Sequence, residues 1–134
     1  MRGSYVLFVK LKKDSKITIG KLGVIDFPEG FYCYVGSAIG KSANLENRLK
    51  RHFRKNKRKK WHIDYLLSHP FASLEGAITF SSRKKLECFI AQAIEKQADF
   101  TVDNFGSSDC GCKGHLHYFK TGKSAIHAVN KVEI

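Results

Sequence analysis

The chain has 134 residues, which suits one domain with a core large enough to fold without disulfide staples. Its 24 Lys and Arg against 12 Asp and Glu give a formal net charge of +12, which favours a polyanionic partner. The sequence has no apolar run near the roughly 18 residues of a membrane span, no signal-peptide pattern and too few cysteines for a secreted disulfide framework. We therefore expect a single cytoplasmic domain over residues 1–134 with no membrane partner.

The first 36 residues are expected to form antiparallel strands. Residues 5–11 read YVLFVKL, which is rich in β-branched and aromatic residues and indicates a buried strand. Residues 16–22 and 24–27 alternate polar and apolar side chains. A turn at Pro28-Glu29-Gly30 then precedes a strand over residues 31–35. This pattern predicts three or four strands in a meander.

Two helices are predicted in the middle of the chain. A small-residue loop over residues 36–42 leads to a helix over residues 45–53, with Asn44 or Ser42 as its N-cap. The apolar face of this helix is expected to contain Leu45, Leu49 and Phe53. A basic loop over residues 54–60 precedes a short helix over residues 61–67, whose inward side chains are Ile63, Leu66 and Leu67.

The second half is expected to add strands and one more helix. Residues 74–80 read as a strand, and Ser81-Ser82 is predicted to begin a helix that runs to about residue 97. Its apolar stripe would comprise Leu86, Phe89, Ile90, Ala93 and Ile94. The tail from residue 100 is loop-rich, with a closing strand over residues 115–119. These elements predict an α/β (α+β) domain with a small, mainly antiparallel sheet flanked by helices.

Two separated tripeptides carry a family signature. Gly3-Ser4-Tyr5 and Tyr34-Val35-Gly36 are followed by the segment Asn44-Leu45-Glu46-Asn47-Arg48, and later by the runs WHIDYLL (residues 61–67) and FGSSDC (residues 105–110). In this combination the chain resembles the GIY-YIG nuclease superfamily, in a prokaryotic branch of small stand-alone domains. The resemblance covers roughly residues 3 to 95. It implies that the two tripeptides lie on neighbouring strands and that the following helix presents an arginine.

The resemblance also implies a catalytic site. Its expected members are Tyr5, Tyr34, Gly36, Arg48, His52 and Glu87. Glu87 would hold one divalent cation, Mg²⁺ or Mn²⁺, with mostly water ligands, and Arg48 would clamp the scissile phosphate. Tyr5, with Tyr34 and His52, would orient or deprotonate the attacking water, and Gly36 would let the backbone approach the phosphate.

The chain departs from the family pattern in several places. Ser4 replaces the usual branched residue. The long spacing between the two tripeptides indicates an extra hairpin inserted around residues 16–27. An alternative alignment puts Gln92, rather than Glu87, at the metal-binding position, which would remove metal binding. Asn104 is one candidate for an asparagine that many relatives carry.

A basic run over residues 48–60 contains nine Lys or Arg residues. It is either a solvated face or a nucleic-acid contact. We expect the nucleic-acid-binding residues to be Lys41, Lys50, Arg51, Arg54, Lys55, Lys57, Arg58, Lys59 and Lys60. Neutralising six phosphates would lower log K by roughly five per decade of salt. Trp61 beside the run is expected in the core, with base stacking as the alternative.

The remaining cysteines and histidines leave alternatives open. Cys110, Cys112, His115 and His117 could bind zinc, but their close spacing leaves little room for tetrahedral geometry. The loop with Asp109 and Cys110 could instead line the rim of the active site or form a structural turn. Cys33 and Cys88 are interpreted as core side chains. His62 and Asp64 could face the cleft, although structural hydrogen bonds are expected.

The leading hypothesis is a metal-dependent GIY-YIG-type endonuclease, a hydrolase that cuts phosphodiester bonds in DNA during repair or recombination. A protein partner in DNA repair, such as a glycosylase or helicase, could deliver it. One alternative is a catalytically inactive nucleic-acid-binding module on the same scaffold. Another is a zinc-stabilised RNA-associated protein. The sequence leaves DNA or RNA preference and oligomeric state open.

Overall fold

The computed structural model describes residues 1–39, 44–107 and 110–133. Within these ranges the chain forms strands and helices in a mixed order. The elements are β1 (Gly3–Leu11), β2 (Ser15–Thr18), a 3-10 turn (Gly20–Leu22), β3 (Val24–Phe27), β4 (Gly30–Ala38), α1 (Leu45–Phe53), α2 (His62–Leu67), β5 (Ala72–Ser81), α3 (Glu87–Glu95), β6 (Phe100–Thr101), β7 (Leu116–Phe119) and α4 (Gly122–Asn130).

The main sheet has the strand order β5-β1-β4-β7-β6, and every neighbouring pair is antiparallel. This confirms the predicted α+β class with a central antiparallel sheet. The inserted hairpin predicted around residues 16–27 is also present, as β2 paired with β3. The predicted meander is wrong, because that hairpin forms a separate small sheet and β1 pairs directly with β4.

The sheet lies between two hydrophobic cores. On one face, Tyr5, Leu7 and Val9 of β1 pack with the hairpin, α1 and α2. On the other face, alternate residues such as Val6 pack against α3 and α4. This alternation follows from the two-residue period of a strand. The result is a sheet covered by helices on both sides.

The local signals for α1 are confirmed, whereas its apolar face is not. The helix occupies Leu45–Phe53, and the Asn44 side chain accepts a hydrogen bond from the Asn47 N–H at 2.8 Å, so Asn44 is the N-cap. The alternative cap, Ser42, lies outside the described residues. Phe53 is 51% exposed and His52 is buried in its place. His52 lies at i+7 from Leu45 and i+3 from Leu49, so the buried stripe of the helix ends on this polar side chain instead of on Phe53.

The third helix begins later than predicted. Ser81 ends β5 and pairs with Gly3, and the Ser82 N–H donates to the Arg2 carbonyl, so both serines extend the sheet instead of starting a helix. Helix α3 begins at Glu87. Its stripe also differs, because Phe89 is half exposed and Ala91 is buried.

The tail is more ordered than predicted. Helix α4 follows β7 and is capped by the Thr121 side chain, which accepts from the Ser124 N–H. Ala125, Ala128 and Val129 form its buried face. Their helical spacing after a capping threonine is the signal that identifies this helix. In the described part of the chain, every helix is too short and too polar to cross a bilayer.

Candidate active site and metal cluster

A cavity of about 250 Å³ opens at the end of the sheet where β1 begins and β4 ends. Both predicted tripeptides contribute to it, since β1 and β4 are paired neighbours. Its lining comprises Tyr5, Tyr34, Gly36, Ser37, Arg48, Lys60, Trp61, His62, Lys85, Glu87, Gly106 and Cys110. Five of the six predicted catalytic residues thus meet at one place.

Tyr5 is held between Gly36 and His52. Tyr5 pairs with Gly36 across the two strands, and a Cβ on Gly36 would lie 2.5 Å from the Tyr5 hydroxyl oxygen. The Tyr5 hydroxyl is 2.7 Å from His52 Nε2. His52 is almost fully buried and does not line the cavity, so it can act there only through Tyr5. The structure thus gives Gly36 a second reason to lack a side chain, which is the space taken by the Tyr5 ring.

The segment after β6 covers Tyr34. Gly106 has a positive φ of 68°, and a Cβ there would lie 3.0 Å from the Tyr34 ring. The Gly106 N–H donates to His62 Nδ1 at 2.8 Å, and the Phe105 ring packs edge-on against Tyr34. The runs WHIDYLL and FGSSDC, which contain His62 and Phe105, therefore meet beside the cavity.

Arg48 and Trp61 form the basic side of the cavity. Arg48 Nη1 donates to the Ser37 carbonyl at 2.7 Å, which anchors the guanidinium at the end of β4. The same guanidinium lies 4.7 Å from the centre of the Trp61 ring. Trp61 is only partly buried, because one edge packs on the core and the ring also lines the cavity.

Glu87 supplies the acidic side of the cavity. It occupies the first turn of α3 and its side chain is 17% exposed. Gln92 is exposed on the same helix and lies outside the cavity lining. Asn104 is also exposed, in a left-handed turn with φ 63°, and does not line the cavity. Of the two residues that compete for the metal position, only Glu87 is placed to reach a ligand there.

Burial controls the protonation of the aromatic residues. Burial raises the pKa of Tyr5, and the nearby Arg48 charge only partly opposes it. Burial likewise raises the pKa of Tyr34, to which the charges of Tyr5 and Glu87 add. Burial lowers the pKa of His52 to about 4 and also lowers that of His62. At neutral pH the Tyr5–His52 pair is therefore uncharged.

Several predicted nucleic-acid contacts are used inside the protein. Arg51 donates through Nη1 and Nη2 to the buried Asp64 carboxylate at 3.0 and 2.9 Å. Lys57 Nζ donates to the carbonyls of His52 and Arg54 near the end of α1. The structural role expected for Asp64 is thus found, and Arg51 and Lys57 each use side-chain donors inside the protein.

The other basic candidates remain on the surface. The exposed ones are Lys50, Arg54, Lys55, Arg58, Lys59 and Lys60. A shallow basic groove is lined by Arg51, Arg54, Lys57, Arg58, Lys59 and Lys60. Lys60 lines both the groove and the cavity, so the two surfaces share this side chain. Lys41 lies outside the described residues, as does Asp109.

A sulfur-rich cluster adjoins the cavity. One ligand atom from each of Cys88, Cys110, Cys112 and His115 lies within 4.8 Å of the others, so these residues could hold a metal ion. The zinc set considered from sequence is therefore wrong at one position. His117 is outside the cluster and its Nδ1 lies 2.8 Å from the Thr101 hydroxyl.

Cys88 takes the fourth place in that cluster. Its interpretation as a core side chain is wrong, although Cys33 is indeed buried. Cys88 lies on α3, and the other three residues lie between β6 and β7. A ligand from a separate element removes the geometric objection raised by four ligands within eight residues.

The comparisons with known proteins identify a family. The family described as "Domain of unknown function DUF123" matches residues 4–133. The chain belongs to this family. No curated protein and no solved structure matches it. The DUF123 match spans the described cavity and the cysteine cluster, so both features lie within the family domain.

Sequence reasoning did not single out two of the cavity residues. Lys85 precedes α3 and lines the cavity, and Ser37 contributes from the end of β4. Lys85 could have been noticed because Arg83, Lys84 and Lys85 form a basic triplet just before Glu87. No local pattern marks Ser37 as a cavity residue.

Proposed function

We propose that this DUF123 protein is a metal-dependent endonuclease of the GIY-YIG type that hydrolyses phosphodiester bonds in DNA. One observation carries the proposal: a single open cavity brings together two tyrosines, an arginine and a carboxylate beside a basic groove. Hydrolysis of a phosphodiester needs a positioned water, neutralisation of the phosphoryl oxygens and stabilisation of the leaving alkoxide. The cavity contains a group suited to each task.

Arg48 is suited to bind the scissile phosphate. Its carbonyl contact to Ser37 and its position over the Trp61 ring hold the guanidinium plane at the cavity wall. A guanidinium has five N–H donors, so one contact to a carbonyl leaves donors for phosphate oxygens. Lys60 and Lys85 line the same cavity and add positive charge.

Tyr5 is suited to orient the attacking water. Its hydroxyl contacts His52 Nε2, and burial keeps both groups neutral. A neutral imidazole nitrogen can accept a hydrogen bond from the phenol, which leaves the Tyr5 oxygen free to accept a hydrogen bond from water. Tyr5 would orient the water and not deprotonate it, because the raised pKa of Tyr5 and the lowered pKa of His52 both disfavour transfer of the phenol proton to the imidazole.

The Glu87 carboxylate fits a hard divalent cation, Mg²⁺ or Mn²⁺. Mg²⁺ prefers oxygen ligands and keeps several waters, and a cavity of about 250 Å³ has room for them beside one carboxylate. When bound, such an ion would neutralise charge on the phosphoryl group and stabilise the leaving oxygen. The cysteine cluster has the opposite preference, since thiolates favour soft ions such as zinc.

The basic groove is suited to the flanking nucleic acid. Arg58, Lys59 and Lys60 are exposed in the groove, and Lys60 also lines the cavity. Phosphate contacts of this kind position a backbone without reading its sequence, which favours recognition of DNA structure. This is consistent with a role in repair or recombination, in which a protein partner would deliver the domain.

The test is cleavage of branched, nicked and damaged DNA by the full chain in Mg²⁺. We expect cleavage that Glu87→Gln lowers by at least about 100-fold, because the amide cannot supply the anionic ligand oxygen. Glu95→Gln is the matched control, since Glu95 is an exposed carboxylate at the other end of the same helix.

Two outcomes would overturn the proposal. If the protein binds these DNAs but cleaves none of them in Mg²⁺ or Mn²⁺, the inactive nucleic-acid-binding module replaces the enzyme. If cleavage occurs and Glu87→Gln cuts as fast as Glu95→Gln, the metal assignment to Glu87 is wrong.

A further inference from the structure

The cysteine cluster joins two parts of the chain. Cys88 is the second residue of α3, and Cys110, Cys112 and His115 lie between β6 and β7. His115 Nε2 lies 3.4 Å from Cys110 Sγ and 3.9 Å from Cys88 Sγ. Tetrahedral zinc with bonds of about 2.0–2.1 Å to nitrogen and about 2.3 Å to sulfur places these atoms about 3.6 Å apart. The observed spacing brackets that value.

The two ring nitrogens of His115 face different groups. The side chain is fully buried, and Nδ1 has no hydrogen-bond partner among the described residues. Glu87 Oε1 lies 3.6 Å from His115 Nδ1, slightly beyond hydrogen-bond distance. A histidine that binds metal through one nitrogen commonly directs the N–H of the other to a carboxylate. His115 thus has the orientation expected of a metal ligand, with Nε2 toward the sulfurs.

We propose that Cys88, Cys110, Cys112 and His115 bind a structural zinc ion. Three thiolates and one imidazole form a closed four-ligand set of the kind that selects zinc over Mg²⁺ or Ca²⁺. A disulfide between two of the cysteines would use only two of the four groups. It would leave a third thiol and the buried imidazole facing it without a partner.

The zinc site would also fix the position of Glu87. The ion links the first turn of α3, which carries Glu87, to the segment that covers Tyr34 and contributes Gly106 and Cys110 to the cavity. Zinc on His115 Nε2 leaves the proton on Nδ1, where it faces the Glu87 carboxylate. His115 is then a positioning residue for Glu87. This consequence rests on the proposed nuclease function, whereas zinc binding does not.

Metal analysis tests the site directly. The full chain, purified under reducing conditions without chelator, is expected to contain one zinc ion per molecule by elemental analysis. Replacement by Co²⁺ should give thiolate-to-cobalt charge-transfer absorption and the visible bands of a tetrahedral site. Cys112→Ser should lower zinc affinity by at least about 10-fold. Cys33→Ala is the control and should retain zinc, since Cys33 is buried in the sheet away from the cluster.

The cobalt spectrum needs only the unsubstituted protein, so the test stands even if Cys112→Ser fails to fold. Absence of zinc together with absence of a cobalt–thiolate band overturns the site. So does a disulfide among Cys88, Cys110 and Cys112, found by thiol counting in denaturant. Zinc affinity that is the same in Cys112→Ser and Cys33→Ala, measured by competition with a chelator, overturns the ligand set.

A second measurement tests the positioning role. Zinc-depleted protein supplied with Mg²⁺ should need about 10-fold more Mg²⁺ for half-maximal DNA cleavage, and added zinc should restore the original value. An unchanged Mg²⁺ midpoint overturns the role of His115 and leaves the zinc site intact. A protein that binds zinc and cuts no DNA overturns the nuclease proposal alone.

Discussion

Two arginines on α1 contact the same indole ring and belong to different regions of the molecule. Arg48 and Arg51 lie 4.7 and 4.3 Å from the centre of the Trp61 ring. The Arg51 guanidinium donates to the Asp64 carboxylate and to the Arg58 carbonyl. Arg48 makes one anchoring contact to Ser37 and lines the open cavity. Arg51 and Arg48 are one helical turn apart, and Arg51 makes three hydrogen bonds inside the protein whereas Arg48 makes one and keeps other N–H donors for a ligand.

This difference distinguishes structural from functional charge. The Asp64 carboxylate is fully buried and accepts from Arg51 and from the backbone N–H groups of Lys60 and Trp61. Burial alone would raise the pKa of Asp64, but these hydrogen bonds outweigh it and lower the pKa. A carboxylate satisfied in this way cannot take a ligand. The region around Arg51 therefore supports α2, whereas Arg48 lines an open cavity, where the proposed function places the substrate phosphate.

The largest effect is expected from Asp64→Ala. The change removes four hydrogen bonds, donated by Arg51, Lys60 and Trp61, and leaves Arg51 without its counter-ion, so the free energy of unfolding should fall by about 3 kcal/mol. Urea denaturation measures it. Asp26→Ala is the control, because the Lys16–Asp26 pair is 3.8 Å long and highly exposed, and it should cost less than about 1 kcal/mol. Equal losses in the two variants would contradict a structural role for the Arg51 region.

Arg48→Lys should give the opposite pattern. Lysine keeps the charge but loses the planar fork, so DNA cleavage should fall about 100-fold, or about 2.7 kcal/mol of transition-state stabilisation. The free energy of unfolding should change by less than about 1 kcal/mol, because the Ser37 contact is a single hydrogen bond. Cleavage kinetics and urea denaturation on the same preparation check both halves. A variant that loses stability and keeps its rate would reverse the comparison.

The sequence predicts best where the signal is local. Helix α1 has the predicted bounds because Asn44 caps it and Leu45 and Leu49 repeat at helical spacing. The prediction that Phe53 is buried is wrong. Which side chain is buried at that end of the helix depends on a distant partner, here Tyr5, which hydrogen-bonds to His52. The sequence predicts that Ser81 and Ser82 begin a helix, because serine is a common helix cap. Their place in the sheet depends on the pairing of Ser81 with Gly3, which is distant in sequence and leaves no local signal.

The candidate site shows the same limit. The paired tripeptides and Arg48 were predicted to share one site, and the structure brings them to one cavity. The metal cluster was not predicted correctly, because Cys88 and His115 are 27 residues apart and no spacing rule connects them. Likewise, the engagement of Arg51 and Lys57 inside the protein depends on contacts that a basic run does not reveal.

The smallest effect is expected from Gly36→Ala, which tests whether Tyr5 belongs with the cavity region. A Cβ at residue 36 would lie 2.5 Å from both the Cζ and the hydroxyl oxygen of Tyr5, so the ring must move away from His52. We expect a loss of about 2 kcal/mol in the free energy of unfolding from overpacking, with a smaller fall in cleavage than Arg48→Lys gives. Gly76→Ala is the matched control on β5, where an added Cβ meets nothing within 4 Å. If both variants keep wild-type stability and cleavage, the Tyr5 ring does not depend on the space above Gly36.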